Sequence, residues 1–508
     1  MNTGAAALSM KQDKDREYTF KEWNGRACRF ANGLTSLGIT KGDTFGVLSY
    51  NRGEWLDIYA GCAKGGQIVV PVMFRLAAPE IEYVVTHSAC RGIVVEAPFV
   101  KMVDGIRKKL SIPKEGYIYL GDGPVPDGYV GFEDLLAQAS PSEPDLRIRG
   151  DDVWNIMYTS GTTGTPKGVV RTHESHLAHY VLSNISMGCR HTDKVMIVMP
   201  LCHVNSIQYS FPYTLLSAPV FIYNSASFDP ADLLKTIDTY QITITSLVPT
   251  HYKMILDLPE SLKSSVDVSS IRQLLISSAP AGKALKLAIM DTFKNVELWE
   301  AYGSTEGGLG TLLRPEDQLR KLGSIGKEIF GIDRIKLLDE NRHEVPDGEV
   351  GELFYRAPCA FKEYLKEPEK TEAAFHGEWF SAGDMALRDS EGYYYLVDRK
   401  ANMIITGGEN VYPSEVEKAL SGHEAVKEVA VIGVPDEKWG EAIKAVVVLQ
   451  ERFAPTKALA RDLIDFSRSK IAGYKRPKSV RFIKEEEMPR NPTGKILYRL
   501  LKDRFQKM

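Results

Sequence analysis

Cysteine, long apolar runs and net charge are all scarce in this sequence of 508 residues. The six cysteines include no CxxC pair, which predicts reduced thiols in a cytoplasmic protein and argues against zinc. No apolar run approaches the roughly 18 residues that a membrane-spanning helix needs, so no such helix is expected. The net charge of −3 gives no sign of a surface for nucleic acid or membrane. The first residues also lack the basic-then-apolar order of a secretory signal.

Disorder and internal repetition are missing as well. Hydrophobic residues make up 44% of the chain and charged residues 25%, which is typical of a folded globular protein. No repeat of about 20 to 50 residues is visible. The length exceeds one ordinary domain core, so we expect two or more domains, in a monomer or a homodimer.

Short apolar runs alternate with longer amphipathic stretches. The predicted buried strands are residues 45–48, 68–72, 195–198, 219–222, 242–248 and 274–277, and the predicted helices are 20–37, 79–87, 230–240 and 285–293. This alternation predicts an α/β fold with parallel sheets. The C-terminal part predicts a small α+β domain, with elements at 413–420, 426–434, 442–449, 458–471 and 479–482. Residues 1–17 are expected to be disordered.

Charge is distributed unevenly between the two parts of the chain. Residues 400–508 carry a net charge of +6, which leaves −9 for the remainder. A basic small domain next to an acidic large one suits an anionic ligand held between them, although a chance skew is the alternative.

The segment YTSGTTGTPKG at residues 158–168 is rich in glycine and hydroxyl groups. Glycines let backbone N–H groups approach a phosphate closely, and hydroxyls add donors. Lys167 adds a compact positive charge. The composition predicts a polyphosphate-binding loop that does not follow the Walker pattern, with a polar turn as the alternative.

This segment resembles the signature of the AMP-forming acyl-CoA synthetases. They belong to the adenylate-forming superfamily, which also contains luciferases and peptide-synthetase adenylation domains. Further family motifs occur in the same order from about residue 18 to residue 501. The resemblance implies a large N-terminal domain of layered α/β subdomains (1–399), a hinge (400–402) and a small mobile C-terminal domain (403–508). It also implies ATP and Mg²⁺ as cofactors and coenzyme A as co-substrate.

Five motifs carry the ATP-binding residues that the resemblance implies. By position they are Thr159, Ser160, Gly161, Thr162, Thr163, Gly164, Lys167, Ser278, Ala279, Pro280, Tyr302, Gly303, Asp384 and Arg399. By analogy Tyr302 stacks on adenine and Asp384 accepts hydrogen bonds from the ribose hydroxyls. The resemblance places Thr305 on the α-phosphate and Glu306 on Mg²⁺, for which a hard carboxylate is a suitable ligand. Outside this context, Glu306 reads as a solvated loop residue.

The remaining functional residues lie in other family motifs. The resemblance assigns Lys495 to the adenylation step, His203 to the entrance of the acyl site, Gly407, Gly408 and Trp439 to coenzyme A, and Lys400 and Ala401 to the hinge. Lysine suits the first role because a point-like ammonium can neutralise charge that develops at phosphorus. The hinge departs from the family pattern, since Ala401 stands where relatives usually carry Asp or Lys.

Aromatic residues dominate the segments that should line the acid pocket. The candidates are Tyr209, Tyr213, His251 and Tyr252. The hinge region resembles the carnitine/crotonobetaine–CoA ligase branch, and a trimethylammonium group can rest on aromatic faces. We therefore expect a carnitine-like or medium-chain acid, with an aryl or cinnamate-type acid as the alternative.

The reaction implied has two steps: the acid and ATP form an acyl-adenylate and pyrophosphate, and coenzyme A then gives the acyl-CoA and AMP. An adenylating oxidase, or a protein that forms acyl-adenylates without coenzyme A, shares the nucleotide motifs. An amino-acid-activating domain is disfavoured, because 204–206 supply no aspartate for a substrate amine. A non-enzymatic descendant is disfavoured because Lys495 and Glu306 are both present.

Overall fold

The computed structural model describes the whole chain except residues 1–5, 12–15, 160–165, 226, 278–280, 408, 491–493 and 507–508. By their contacts, the described residues form two compact units. The large unit contains those of Met1–Thr159, Pro166–Ile335 and Tyr355–Phe380. The small unit contains those of Lys336–Phe354 and Ser381–Met508. None of the described helices is long and apolar enough to cross a membrane.

Strands and helices alternate along most of the chain. In chain order the described strands are β1 (Ala6–Lys11), β2 (Arg16–Thr19), β3 (Thr44–Leu48), β4 (Ile68–Val72), β5 (Gly92–Glu96), β6 (Tyr117–Leu120), β7 (Val130–Gly131), β8 (Val153–Thr159), β9 (Lys167–Thr172), β10 (Val195–Ile197), β11 (Val220–Tyr223), β12 (Ile244–Leu247), β13 (Gln273–Ile276), β14 (Glu297–Ser304), β15 (Gly308–Leu313), β16 (Lys327–Glu328), β17 (Lys336–Leu338), β18 (Gly351–Phe354), β19 (Glu363–Tyr364), β20 (Phe375–His376), β21 (Trp379–Phe380), β22 (Asp384–Arg388), β23 (Tyr394–Arg399), β24 (Ile404–Thr406), β25 (Glu409–Val411), β26 (Val426–Asp436), β27 (Gly440–Leu449) and β28 (Ser479–Ile483). The described α-helices are α1 (Phe20–Ser36), α2 (Glu54–Gly65), α3 (Ala78–His87), α4 (Val100–Ile106), α5 (Phe132–Gln138), α6 (His173–Met187), α7 (Val204–Leu215), α8 (Pro230–Tyr240), α9 (Pro249–Leu256), α10 (Glu260–Lys263), α11 (Lys283–Thr292), α12 (Pro368–Ala374), α13 (Pro413–Ser421), α14 (Lys457–Phe466) and α15 (Tyr498–Phe505).

Two large sheets build the large unit. Sheet A has the strand order β16-β15-β14-β13-β12-β10-β11-β1-β2, and its central strands from β14 to β1 run parallel. Sheet B has the order β19-β9-β8-β4-β3-β5-β6-β7 and is parallel from β8 to β7. Antiparallel strands complete one edge of each sheet, β15 and β16 in sheet A and β9 and β19 in sheet B. Candidate site residues lie on these added strands and on the turns that precede them.

Both faces of each sheet are covered, as near-continuous apolar strands require. In β3, Val47 packs with α1 and α2 between the two sheets, whereas Leu48 packs with α3 and α4 on the outer face. In β10, Ile197 packs into the same central core, whereas Met196 packs with α8, α9 and α11 on the other side. The alternation gives five layers, helix–sheet–helix–sheet–helix.

The small unit contains two further sheets. One is antiparallel, with the order β17-β18-β22-β23. The other has the order β25-β24-β27-β26, with β28 parallel to β27. In β26, Val431 packs with α13 and α14 on one face of this sheet, and Ile432 packs with α15 on the other.

The predicted α/β layers and the predicted strands and helices are confirmed, with shifts of a few residues at their ends. The expectation of disorder at the start of the chain is wrong for residues 6–11 and for residues 16 and 17, which begin β2. Residues 6–11 form β1, which pairs parallel to β11 with Leu8 opposite Val220. The partner strand that supplies the backbone hydrogen bonds lies about two hundred residues further along the chain, so local composition does not reveal the pairing.

Candidate active site

The predicted phosphate loop joins β8 to β9. These strands are antiparallel, and their register places Thr159 opposite Lys167. The strands on either side of the loop therefore form a hairpin, and Lys167 lies at the end of this hairpin opposite Thr159. Five predicted residues, Ser160, Gly161, Thr162, Thr163 and Gly164, lie outside the described residues.

Tyr302 and Gly303 lie near the end of β14, where it turns into β15. Tyr302 is largely buried. A Cβ added to Gly303 would lie 2.2 Å from the carbonyl oxygen of Gly308, so only glycine fits this close approach of the two strands. Strand β13, parallel to β14, leads into Ser278, Ala279 and Pro280, which lie outside the described residues.

Glu306 follows in this turn and is held by the segment that contains β19. Its carboxylate Oε1 accepts a hydrogen bond of 2.9 Å from the hydroxyl of Tyr364, and its carbonyl accepts one of 2.6 Å from the amide of Phe361. The ring of Tyr364 lies over the ammonium of Lys167, with 4.0 Å between Nζ and the ring centroid. Lys167 and Glu306, predicted from separate motifs, thus contact the same side chain.

Arg171 supports the neighbouring residue from inside the unit. It is completely buried on β9, and its guanidinium donates to the carbonyls of Thr305 at 3.1 Å and Cys359 at 2.6 Å. Burial lowers the pKa of Arg171. The sequence analysis did not identify Arg171 or Tyr364. The one available signal for Arg171 was a charged residue directly after the two valines of β9.

A buried ion pair includes a residue of the strand that carries Tyr302. Lys286 on α11 pairs with Glu300 on β14, with 2.6 Å between Nζ and Oε2. Glu300 Oε1 also accepts a hydrogen bond of 3.4 Å from the amide of Ala281, directly after 278–280. Burial raises the pKa of Glu300. The pair fixes the distance between β14 and the start of α11, and the sequence analysis did not identify it.

Glu306 offers one carboxylate, so it can hold Mg²⁺ only if phosphate groups of a substrate supply further ligands. Within the described part of the chain, no group of three or more His, Cys, Asp or Glu side chains is placed to hold a metal ion. Mg²⁺ is commonly held by one or two carboxylates plus substrate phosphates. A single carboxylate near the predicted phosphate loop would have this chemistry.

His203 and Asn205 begin helix α7. His203 is the N-cap, and its Nδ1 accepts a hydrogen bond of 3.3 Å from the amide of Asn205. The side chain of Asn205 donates to Ser277 Oγ at 2.8 Å, and Ser277 Oγ lies 3.2 Å from Ser246 Oγ. These bonds connect the predicted acid entrance to the carboxyl ends of β12 and β13.

The aromatic residues predicted for the acid pocket do not share one environment. Tyr209 and Tyr213 pack in the core between the two sheets. Tyr209 also lines a cavity of about 10 Å³ with Asn205 and Ser246. Tyr252 packs in the core on the opposite face of sheet A, with its hydroxyl donating to the carbonyl of Leu275 at 3.0 Å.

His251 is the fourth predicted pocket residue. Its ring stacks on Phe228 with 4.0 Å between centroids. Burial, and to a smaller extent the positive charge of Arg75, lower the pKa of His251 to about 4. His251 is therefore neutral near pH 7, and the formal charge beside it is positive.

Asp384, Arg399 and Lys495 come together in the small unit. Asp384 and Arg399 are opposite each other on β22 and β23, with 2.5 Å between Oδ1 and Nε. Burial lowers the pKa of Lys495, Arg399 lowers it further, and Asp384 opposes both. Next to them is a cavity of about 290 Å³ lined by Ala382, Gly383, Arg399, Lys400 and Ala401.

Gly407 and Trp439, both predicted for coenzyme A, are in direct contact. The amide of Gly407 donates to the carbonyl of Trp439 at 2.8 Å, and the φ of Gly407 is +61°. A Cβ at Gly407 would lie 2.8 Å from the indole ring. The side chain of Trp439 is partly exposed, with Lys438 Nζ 4.7 Å and Lys478 Nζ 5.7 Å from its ring. Gly408 lies outside the described residues.

The predicted hinge residues Lys400 and Ala401 begin a short 3-10 turn after β23. Lys400 Nζ lies 2.8 Å from Glu352 Oε2, and Ser381 donates to the other oxygen of Glu352 at 2.9 Å. By their contacts, residues 336–354 and 381–399 belong to the same compact unit as the C-terminal residues. This grouping does not show where the chain rotates, so the hinge stays a prediction.

Two family models match this chain. The model described as "AMP-binding enzyme" covers residues 2–365, and the model described as "AMP-binding enzyme C-terminal domain" covers residues 415–495. Long-chain-fatty-acid–CoA ligase FadD13 of Mycobacterium tuberculosis is 36% identical over 502 residues, which cover 97% of this chain and 94% of that protein.

Two solved structures resemble the fold closely. An anthranilate CoA ligase, AuaEII, in complex with anthranoyl-AMP has a TM-score of 0.85 and 30% identity, covering 99% of this chain and 94% of its own. The o-succinylbenzoate CoA synthetase (MenE) from Bacillus subtilis, in complex with ATP and magnesium ion, has a TM-score of 0.83 and 29% identity. The match covers 98% of this chain and 96% of the MenE chain.

Proposed function

This chain belongs to the AMP-binding enzyme family, and we propose that within it the chain ligates an uncharged aryl or medium-chain carboxylic acid to coenzyme A. The protein is an AMP-forming acid–thiol ligase that uses ATP, Mg²⁺ and coenzyme A, as its family and its relatives show.

The chemistry needs two steps because a carboxylate is a poor acylating agent. In the first, a carboxylate oxygen attacks the α-phosphorus of ATP, a P–O bond forms, and pyrophosphate leaves. In the second, the thiol of coenzyme A loses its proton and attacks the acyl carbon, a C–S bond forms, and AMP leaves. Both steps build negative charge on oxygen, which positioned cations and N–H donors stabilise.

The first step is assigned to the residues that contact Tyr364 and to Lys495. Mg²⁺ supplies charge neutralisation to the ATP phosphates, and Glu306 is the residue that would hold it. Lys167 provides a second positive charge, and Lys495 stabilises the attacking carboxylate and the α-phosphate. The convergence of Lys167 and Glu306 on one tyrosine is the observation that carries the proposed function.

The second step is assigned to Gly407, Trp439 and His203. A glycine that packs directly on an exposed indole leaves a narrow surface along which a pantetheine arm can lie. The two lysines near Trp439 suit the phosphates at the other end of coenzyme A. His203, fixed at the start of α7, guards the acid entrance.

The class of acid rests on the charge and the chemistry of the pocket walls. Burial first, and the charge of Arg75 second, lower the pKa of His251, so this wall disfavours a cation and with it the cationic tail of a carnitine-like acid. Asn205, Ser246 and Ser277 satisfy one another by hydrogen bonding, so an apolar tail can pass them without burying an unpaired donor. We therefore favour an uncharged tail, and a stacked ring suits Tyr209 and the Phe228–His251 pair.

The first test is pyrophosphate release with Mg·ATP and coenzyme A over a panel of acids. The panel contains short, medium and long fatty acids, benzoates, cinnamates, carnitine, crotonobetaine and amino acids. We expect turnover that requires coenzyme A, strongest with an aryl or medium-chain acid. Preference for carnitine or crotonobetaine contradicts the proposed acid class. Oxygen uptake or light without thioester formation contradicts the assignment of coenzyme A to the second step.

The division of roles is tested by replacing Lys495 with alanine. Acid-dependent pyrophosphate release should fall by about a hundredfold or more, because the charge on the attacking carboxylate is no longer offset. Thioester formation from preformed acyl-AMP should survive. The matched control is Lys484→Ala, an exposed lysine of the same unit. Equal loss of both half-reactions in Lys495→Ala contradicts the role given to Lys495.

A further inference from the structure

Tyr364 is placed by backbone pairing between two residues of the proposed phosphate site. It lies on β19, which extends sheet B beyond β9 with Tyr364 opposite Val169. That register puts its side chain near the start of β9, where its ring covers Lys167 Nζ at 4.0 Å. The hydroxyl at the far end of the same ring donates to Glu306 at 2.9 Å.

The surrounding backbone fixes this side chain relative to the turn that carries Glu306. The amide of Phe361 donates to the carbonyl of Glu306, and Arg171 ties Cys359 to Thr305. The amide of Tyr364 itself donates to Thr371 Oγ1 at 2.9 Å. Residues 359–364 and 305–306 therefore form one hydrogen-bonded frame, and the hydroxyl has little freedom to leave the carboxylate.

We propose that Tyr364 is a positioning residue for the metal–nucleotide site: it orients the Glu306 carboxylate toward Mg²⁺ and holds Lys167 beside it. The inference rests on the proposed function, since it assumes that Glu306 is the metal-binding carboxylate. A hydrogen bond to Oε1 restrains the rotation of the carboxylate and does not use Oε2, which can serve as the metal ligand. Partners of this kind, one shell behind the metal, orient ligands and tune metal affinity.

The two contacts of Tyr364 predict two separable effects. Tyr364→Phe keeps the ring over Lys167 and removes only the hydroxyl. We expect metal affinity in the presence of nucleotide to fall by about tenfold, while nucleotide affinity without metal stays unchanged. Tyr364→Leu removes ring and hydroxyl, and we expect both affinities to fall.

The experiment titrates Mn²⁺ into the full chain with a non-hydrolysable ATP analogue and follows free metal by electron paramagnetic resonance. Nucleotide affinity without metal is measured by equilibrium dialysis. The matched control is Tyr129→Phe, which removes a similar hydroxyl-to-carboxylate bond of 3.0 Å to Asp104 elsewhere in the large unit. As a kinetic readout, pyrophosphate release by Tyr364→Phe should need more Mg²⁺ for half-maximal rate and recover at saturating Mg²⁺.

Glu306→Gln separates this inference from the proposed function. If Glu306→Gln binds Mn²⁺ as tightly as the unmodified chain, the role given to Glu306 is wrong, and the inference is overturned with it. If Glu306→Gln loses Mn²⁺ while Tyr364→Phe keeps it, only the role of Tyr364 is overturned. Should Tyr364→Phe lower the thermal midpoint by more than about 5 °C, Tyr364→Trp replaces it, with the same loss of metal affinity expected.

Discussion

Arg171 carries a positive charge in a place where water does not reach it. Taking such a charge out of water is costly, and here carbonyl oxygens of Thr305 and Cys359 accept its donors. The same guanidinium thereby holds together two segments that are far apart in the chain. A single side chain thus determines where the turn at Thr305 and Glu306 lies against the segment leading to Tyr364.

Arg171→Met tests this role at the scale of one residue. The thioether fills most of the volume but leaves two buried carbonyls without donors, each worth about 1 to 3 kcal/mol. We expect a lower thermal midpoint and slower acid-dependent pyrophosphate release, measured by calorimetry and by a coupled assay. Arg149→Met, which removes an exposed arginine, should change neither. Unchanged release in Arg171→Met shows that the turn holds its position without the guanidinium.

At this scale, sequence reasoning found residues with a local signature and missed those defined by distant contacts. Lys167 stands in a glycine-rich segment whose composition indicates phosphate chemistry, whereas Tyr302 and Glu306 stand in a segment that was identified by its resemblance to a family motif. Arg171 bonds to residues 134 and 188 positions further along the chain, and Tyr364 bonds to a residue 58 positions before it. Only the fold brings these pairs together, so no local pattern marks them.

At the scale of elements, a mostly buried carboxyl joins three pieces of the small unit. Glu417 on α13 accepts hydrogen bonds from the amide of Val431 on β26 at 2.7 Å and from the hydroxyl of Tyr498 on α15 at 2.9 Å. Burial raises the pKa of Glu417 to about 7, although the hydrogen bonds from Val431 and Tyr498 act to lower it. The folded state therefore binds a proton more tightly than the unfolded chain does.

The raised pKa of Glu417 predicts a pH-dependent stability. Its contribution is fully present below about pH 4.5 and is lost as the pH rises to about 7, at up to about 1.4 kcal/mol per pH unit. Glu417→Gln keeps an oxygen for both donors and cannot ionise. Its thermal midpoint should match that of the unmodified chain near about pH 5 and exceed it near about pH 8. Glu424→Gln, an exposed control, should follow the unmodified chain at both values. Parallel pH profiles for Glu417→Gln and the unmodified chain contradict the prediction.

The elements themselves were largely predictable, for physical reasons that differ between them. β4 and β13 are buried on both faces and therefore read as continuous apolar runs. Helices α8 and α13 begin with proline in the first turn, which marks a helix start. β19 has two residues, and β1 is paired by residues far along the chain, so neither leaves a periodic signal of its own.

At the scale of the whole molecule, each of the two compact units carries residues of the proposed reaction. Lys167 and Glu306 belong to the large unit, and Lys495 and Trp439 belong to the small one. The family resemblance anticipated a large and a small domain, because the motifs occur in a fixed order. The sheet of β17, β18, β22 and β23 belongs by its contacts to the same unit as the C-terminal residues. The sequence did not indicate this grouping.

Trp439→Ala tests whether the small unit serves the thioester step. Loss of the indole removes about 1.4 kcal/mol or more of contact with the proposed pantetheine arm, so thioester formation from preformed acyl-AMP should slow about tenfold. Acid-dependent pyrophosphate release without coenzyme A should not change. Tyr474→Ala, another exposed aromatic of the small unit, is the matched control. Equal slowing of both half-reactions contradicts the assignment of Trp439.

The lysines beside Trp439 also bear on how fast a highly charged substrate reaches the enzyme. Lys438 and Lys478 surround an exposed aromatic ring in a segment whose net charge is +6, whereas the rest of the chain carries −9. Such an asymmetry directs diffusing polyanions to the basic segment and raises their encounter rate, and this attraction weakens as salt screens it. Coenzyme A gains from this steering, and so does any other polyphosphate. Selectivity among anions at this surface therefore has to come from the fit of the ligand after its arrival.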